Sequence, residues 1–146
     1  MSTNETKPET SPATDRAVVL YSVCVTEEDI QHGIGRDCNR CAVSLGLDRA
    51  LPSGVLSYVN PYGGMLTNPD TIGIFVYRKY EFCFDNGVEC PQRIEDFAHD
   101  FDEWSDYQMI DSNEELAEWN EDRCREFDYM PYKPEPFEFK IALPKI

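Results

Sequence analysis

Basic residues are scarce in this sequence. Its 146 residues include 13 Lys and Arg against 28 Asp and Glu, which gives a formal net charge of −15. Because phosphates repel such a chain, the charge argues against nucleic acid and anionic membrane surfaces as direct partners. Two interpretations of the charge remain open: a partner with a basic surface, or high solubility alone.

Long apolar runs are also missing. No stretch approaches the length of a membrane-spanning helix. Residues 1–16 are rich in Ser, Thr, Pro and Glu without apolar periodicity, so they predict a disordered tail rather than a secretory signal. We therefore expect a cytoplasmic protein with reduced cysteines and a single domain over residues 17–146.

Recognisable catalytic motifs are lacking as well. His32 and His99 are the only histidines, and His99 falls on the polar side of a predicted helix. No serine stands in the glycine pattern of a nucleophile elbow, and the paired glycines do not have the spacing of a phosphate-binding loop. We predict no catalytic residue, no cofactor-binding residue and a protein that is not an enzyme.

One CxxC motif is present, at Cys38 and Cys41, just before a predicted helix. A thiol pair at a helix N-terminus can have a lowered pKa and take part in redox or metal chemistry. A zinc site needs two further ligands, and no second CxxC supplies them. We interpret the pair as structural and assign no metal ligand. A zinc-stabilised or thiol-active protein that uses these two cysteines is the alternative.

Strand patterns recur along the chain. Ala17–Val25 predicts a strand buried on both faces for part of its length, Val55–Val59 a second strand, and Phe137–Ala142 a closing strand with one exposed face. The run Thr71–Phe84 is the longest. It is long for one strand, which predicts a bulge or bend near Arg78-Lys79.

Helix signals lie between these strands. Thr26 is a favourable N-cap for a short helix, and Asp37 or Asn39 predicts the cap of a second helix that ends at Pro52. Pro91 predicts the start of a third helix. The residues from Ser112 to Glu115 carry a capping-box signature for a fourth.

The order of these elements is strand, helices, several strands, helices, strand. Hairpins outnumber crossovers in it. We predict an α+β fold with a mainly antiparallel sheet and helices packed on one face.

Three blocks of sequence follow one another along the chain: VTEEDIQHGIGRDCNRCAVSLGLDRAL, RIEDFAHDFDEW and PFEFKIALP. In this order they resemble a widespread group of small uncharacterised proteins of tailed bacteriophages and prophages. That group has a V-T-x-x-x-I-x-x-G turn, a cysteine before a C-P-hydrophobic-A-L-A helix, a later F-x-x-x-F-D helix and a closing P-F-x-F strand. The resemblance covers about a third of the chain. It implies a phage origin and a layout of elements, without an activity.

This chain departs from the group's pattern at several places. Ala42 stands where the group has Pro, and Ser44 and Gly46 stand where it has Ala. A glycine inside a helix costs about 1 kcal/mol relative to alanine, so we expect Gly46 to permit a close backbone approach. The chain also carries an acidic helical insertion at about residues 105–133.

The excess of acid lies in the C-terminal half, where eighteen Asp and Glu stand against four Lys and Arg between Asp85 and Glu138. Carboxylates spaced along helices can imitate the phosphates of a duplex, and aromatic side chains among them are typical of interface hot spots. The predicted partner-binding residues are Asp100, Asp102, Glu103, Trp104, Asp106, Glu114, Glu115, Glu118, Trp119, Glu121 and Asp122.

The sequence therefore predicts a small acidic phage accessory protein of the host cytoplasm. We expect it to act by binding a host protein with a basic surface. In its more specific form, the prediction is a DNA mimic that inhibits a nucleic-acid-binding or defence factor of the host.

Overall fold

A computed structural model describes residues 17–61, 73–84 and 87–146. The predicted tail at residues 1–16 lies outside this range. Along the chain come β1 (Val18–Val25), α1 (Glu27–His32), α2 (Ala42–Ala50), β2 (Val55–Asn60), β3 (Gly73–Arg78), β4 (Glu81–Phe82), α3 (Gln92–Gln108), α4 (Asn113–Glu121) and β5 (Phe137–Pro144). Helices and antiparallel strands occur together, so the predicted α+β class is confirmed.

The strands form two antiparallel sheets. β1 pairs with β5 along its whole length, from Val18 opposite Pro144 to Val25 opposite Phe137. The second sheet has the order β2-β3-β4. Helix α2 packs against both β1 and β2, so its buried face joins the two sheets into one core.

Burial alternates along β1. Val23 and Val25 are buried, whereas Val18 and Leu20 are exposed. The prediction of a strand buried on both faces was therefore wrong. A two-stranded sheet packed on α2 has one inner face only, and the other face meets water.

The run from Thr71 to Phe84 does not form one long strand. β3 ends at Arg78, which pairs with Glu81 across the two-residue turn of Lys79 and Tyr80. Lys79 has a φ of 58°, in the left-handed region that tight hairpin turns require. The predicted bulge or bend near Arg78-Lys79 is instead a full reversal of the chain at that place, formed without the glycine or asparagine that usually signals one.

Side-chain capping marks the start of α1 but not that of α2. Thr26 and Asp29 form a reciprocal capping box at α1. The predicted cap of α2 at Asp37 or Asn39 was wrong, because Cys41 occupies the N-cap position. The Asp37 carboxylate instead accepts hydrogen bonds from the backbone N–H groups of Asn39 and Arg40, at 2.9 and 3.1 Å. It therefore caps the turn that precedes the helix.

The long helix α3 and the glycine of α2 close the core as predicted. Ile94, Ala98 and Phe101 are buried on one side of α3. A Cβ atom on Gly46 would lie 2.8 Å from the backbone oxygen of Cys24, so only glycine lets α2 approach β1 this closely. Among the described residues, no helix is long and apolar enough to span a membrane.

Candidate partner-binding surface

The acidic half of the chain, residues 85–138, contains an inward-facing ion-pair network. The Glu103 carboxylate on α3 accepts hydrogen bonds from Arg125 and, at 3.3 Å, from Nε of Arg123. Burial alone would raise the pKa of Glu103. The hydrogen bonds and charges of the two arginines outweigh that effect and lower it. Glu103 is therefore a stable carboxylate with its charge neutralised inside the fold.

Aromatic rings enclose the same two arginines. The guanidinium carbons of Arg123 and Arg125 lie 4.7 and 4.5 Å from the centre of the Trp119 ring. Arg125 also lies 4.5 Å from the centre of the Tyr129 ring. These stacks hold the chain after α4 against Trp119 of that helix, while the ion pairs with Glu103 hold it against α3. Trp119 therefore lies within the network rather than on a free surface.

The other basic residues of this half are also engaged. Lys133 pairs with Glu27 at the start of α1 and lies over the ring of Trp104. Arg93 lies over the ring of Phe137 at 4.6 Å. With Arg123 and Arg125, these are all four bases between residues 85 and 138. All four cations of the acidic half are thus occupied by contacts within this chain.

The carboxylates of α4 have the opposite placement. Glu114, Glu118, Glu121 and Asp122 are exposed, and among the described residues none of them forms an ion pair. Glu118 stands four residues from both Glu114 and Asp122, so these side chains lie along one side of the helix. These four residues form a row of negative charges without ion-pair partners in the described part of the chain, which we call the acidic face.

The predicted partner-binding residues therefore fall into two groups. Exposed on the surface are Asp100, Glu114, Glu115, Glu118, Glu121 and Asp122. Partly or fully buried within the fold are Asp102, Glu103, Trp104, Asp106 and Trp119. The structure brings the first group to solvent and uses the second group for contacts between elements.

Two carboxylates of the inner group illustrate this use. Asp102 is buried, and its Oδ1 accepts the backbone N–H of Arg36 at 2.9 Å. Asp106 pairs with the Arg36 guanidinium at 2.8 Å and lies 3.8 Å from that of Arg123. Both carboxylates fix the loop between α1 and α2 on α3. Both already have partners within this chain, and burial also closes Asp102 to a partner protein.

One surface feature was missed in the sequence. Residues 126–132, which we call the apolar loop, expose Phe127 (72%), Met130 (57%) and Tyr132 (93%). Acidic Glu126 and Asp128 flank Phe127 and are exposed. Prolines nearby in the sequence indicated a loop, but they gave no sign that its apolar side chains face water.

The backbone of the apolar loop is nevertheless fixed. Asn120 is fully buried, and its Nδ2 donates to the backbone oxygens of Phe127 and Tyr129 at 3.0 Å each. The Tyr129 N–H also donates to the oxygen of Glu126 at 3.1 Å. A buried amide thus holds a loop whose large side chains point outward. Such pre-organisation lowers the entropy cost of binding.

The two CxxC cysteines lie at the start of α2, as the sequence indicated. Together with Phe97 and Phe101 they line a cavity of about 200 Å³. Burial raises the pKa of both the Cys38 and the Cys41 thiol above the ordinary 9.0. Both thiols are therefore protonated at neutral pH, which favours the structural interpretation over thiolate chemistry. Within the part of the chain that the structure describes, no group of three or more potential metal ligands is found.

Comparisons with protein-family models, with curated proteins and with solved structures found no match to this chain. The resemblance to tailed-phage proteins thus stays a prediction. The acidic face is the surface feature from which a function can be inferred.

Proposed function

We propose that this protein is a non-enzymatic accessory protein of a tailed phage or prophage that acts in the host cytoplasm by binding a host protein. The observation that carries the proposal is the segregation of charge in the acidic half. Its bases are occupied by contacts with Glu103, Glu27 and aromatic rings of this chain, which leaves the acidic face without neutralising neighbours. The partner would present a basic surface.

The acidic face costs stability, which favours binding over solvation alone. Like charges four residues apart on a helix destabilise it by about 0.2–0.5 kcal/mol per pair. Carboxylates in the last turn are also unfavourable, because the helix C-terminus carries partial negative charge, and α4 has no base in that turn. A surface that only keeps the protein dissolved gains nothing from this arrangement, whereas a surface that steers a basic partner does.

The more specific form of the proposal is mimicry of DNA. Residues four apart on a helix have Cβ atoms about 5–6 Å apart, so the acidic face offers closely spaced negative charges to a groove that normally binds phosphates. A host nucleic-acid-binding or defence factor would be inhibited by occupation of that groove. Added DNA should then compete with this protein for the partner.

A pull-down from host lysate tests the proposal. The wild type should retain a specific partner at low salt and lose it near about 0.5 M salt, where screening lengths fall to a few ångströms. The variant Glu118→Lys with Asp122→Lys should lose the partner at every salt concentration. Competing duplex DNA should release the partner from the wild type.

The matched control carries the same change of net charge elsewhere. Glu89 and Glu138 are exposed and lie outside α4, so the variant Glu89→Lys with Glu138→Lys should retain the partner. Equal loss from both double variants would mean that net charge alone governs capture. That outcome, or the absence of any specific partner at low salt, would refute the proposal.

A further inference from the structure

A second surface of this molecule has the opposite charge. At the β3–β4 hairpin, Arg78 and Lys79 are exposed beside Tyr80, which is fully exposed, and Phe82, which is 54% exposed. With Lys145 they line an open groove that also contains one acidic side chain, Glu81, and that we call the basic groove because its cations outnumber this carboxylate. It combines cations with aromatic rings on a chain of net charge −15.

The cations at the hairpin are not used inside the fold. Neither Arg78 nor Lys79 forms an ion pair with another described residue, in contrast to the arginines of the acidic half. Lys79 also holds a left-handed backbone conformation, which costs about 1–2 kcal/mol for a residue other than glycine. The hairpin therefore exposes a basic and aromatic tip to solvent at a cost in stability.

The apolar loop is complementary to this groove. The loop presents Phe127 between two carboxylates, with Met130 nearby, and its backbone is fixed by Asn120. The groove presents two hairpin cations and one carboxylate, Glu81, beside two aromatic rings. Each surface thus has an apolar centre with charged neighbours, acidic on the loop and with an excess of basic residues on the groove, which is the arrangement of a specific protein interface.

The two surfaces lie towards opposite ends of β5. The apolar loop leads into the start of this strand through Lys133, which contacts Glu27 next to that end. Lys145 of the groove follows the end of the strand. Eight strand residues span about 26 Å, so one molecule offers its loop and its groove at separate places.

We propose that the protein associates head to tail with a second copy of itself, through the apolar loop of one copy and the basic groove of the next. Phe127 and Met130 pack against Tyr80 and Phe82. Glu126 and Asp128 face Arg78 and Lys79. This association goes beyond the proposed function and requires no host protein.

Such a contact joins two different surfaces, so it builds a series of species rather than one closed dimer. Two copies with a net charge of −15 repel each other at low ionic strength. At about 0.15 M salt the screening length is about 8 Å. Repulsion between distant charges is then weak, while contact pairs within the interface remain. Association should accordingly be stronger at about 0.15 M salt than at low salt.

Sedimentation velocity on the purified full chain tests this with a charge-swap pair. The groove variant is Arg78→Glu with Lys79→Glu, and the loop variant is Glu126→Lys with Asp128→Lys. Each variant alone should associate at least about tenfold more weakly than the wild type, because like charges then meet in the contact. An equimolar mixture should regain association, which also shows that both variants are folded.

Two further variants separate contact from charge. Phe127→Ser leaves the charge unchanged and should weaken association about tenfold through lost apolar burial. The control Arg40→Glu with Lys140→Glu carries the charge change of the groove variant at exposed positions outside the groove and should associate more strongly than that variant. A wild type that stays monomeric at all concentrations, or a mixture that does not regain association, would overturn the proposal.

The outcome is independent of the host partner. The double variant Glu118→Lys with Asp122→Lys should fail in the pull-down and still associate with itself, because α4 lies outside the self-contact. A chain that captures a host partner while remaining monomeric would retain the proposed function and exclude the self-association.

Discussion

A single carboxylate, that of Asp29, connects three elements near the start of the chain. Its oxygens accept hydrogen bonds from the Arg49 guanidinium at 2.8 and 2.6 Å, and Arg49 also donates to the Cys24 oxygen on β1 at 2.9 Å. The same carboxylate caps α1 through the Thr26 N–H. Burial alone would raise the pKa of Asp29, but the bonds from Arg49 and Thr26 outweigh it and lower the pKa below 3.8.

Arg49→Met should therefore reduce the free energy of unfolding by about 1–3 kcal/mol at pH 7, because it leaves a buried carboxylate without its charged partner. A lowered pKa stabilises the fold above the unfolded-state pKa, and this contribution is lost as pH falls through the folded-state pKa. The difference between wild type and variant should shrink below about pH 4. Urea denaturation from pH 7 to pH 3 measures it.

The control for this pH series is Arg40→Met, which removes an exposed arginine that has no ion-pair partner among the described residues. It should leave stability within about 0.5 kcal/mol of the wild type at every pH. A difference for Arg49→Met that stays constant down to pH 3 would mean that the carboxylate of Asp29 is not the source of the effect.

At the scale of elements, α4 carries charges that oppose its own formation. Glu118→Lys replaces repulsion of Glu114 and Asp122 by attraction at both four-residue spacings, and the pair with Glu114 has the Glu-before-Lys orientation that helices favour. We expect it to raise the free energy of unfolding by about 0.5–1 kcal/mol while it weakens capture of the host partner. Urea denaturation and the pull-down give the two readouts.

Glu118→Gln is the intermediate case, since it removes the repulsion without adding attraction. Its stability should fall between those of the wild type and Glu118→Lys. If Glu118→Lys lowered stability, the carboxylates of α4 would have stabilising partners. The acidic face would then not reduce the stability of the fold.

The apolar loop depends on Asn120 at the end of α4. Asn120→Ala removes both hydrogen bonds to the loop backbone and should destabilise the fold by about 1–3 kcal/mol. The loop should open locally before the fold unfolds, so exchange of the Tyr129 amide hydrogen should accelerate more than that of amides in β1. Hydrogen exchange followed by NMR measures both.

Asn113→Ala, at the exposed start of α4, is the matched control and should leave exchange in the loop unchanged. Equal acceleration of the Tyr129 and β1 amides in Asn120→Ala would show that the loop opens only with the whole fold. The hydrogen bonds of Asn120 would then be part of the general core rather than a specific support for the loop.

Elements with strong local signals were predictable from the sequence. The N-cap of Thr26, the apolar side of α3 and the alternation in β5 each depend on residues a few positions apart. The turn at Lys79 and the N-cap at Cys41 were not predictable. Neither position carries the residue type that usually marks its conformation.

The candidate site was predictable only as a charge excess. Composition indicates that the C-terminal half is acidic, but it does not say which carboxylates face water. That division depends on Arg123 and Arg125, which reach Glu103 from about twenty residues further along the chain. Sequence spacing within one helix cannot reveal a contact between two helices, so the inner and outer carboxylates appeared equivalent.

At the scale of the whole molecule, stability should rise with moderate salt. The interior ion pairs of Glu103 are half-shielded from solvent ions, whereas the acidic face and the net charge of −15 produce repulsion that salt screens. The melting temperature should therefore increase between about 10 mM and 0.3 M sodium chloride. The variant Glu114→Lys with Glu118→Lys should show a smaller increase. A melting temperature that falls with salt would mean that the surface charges stabilise the fold on balance rather than repel one another.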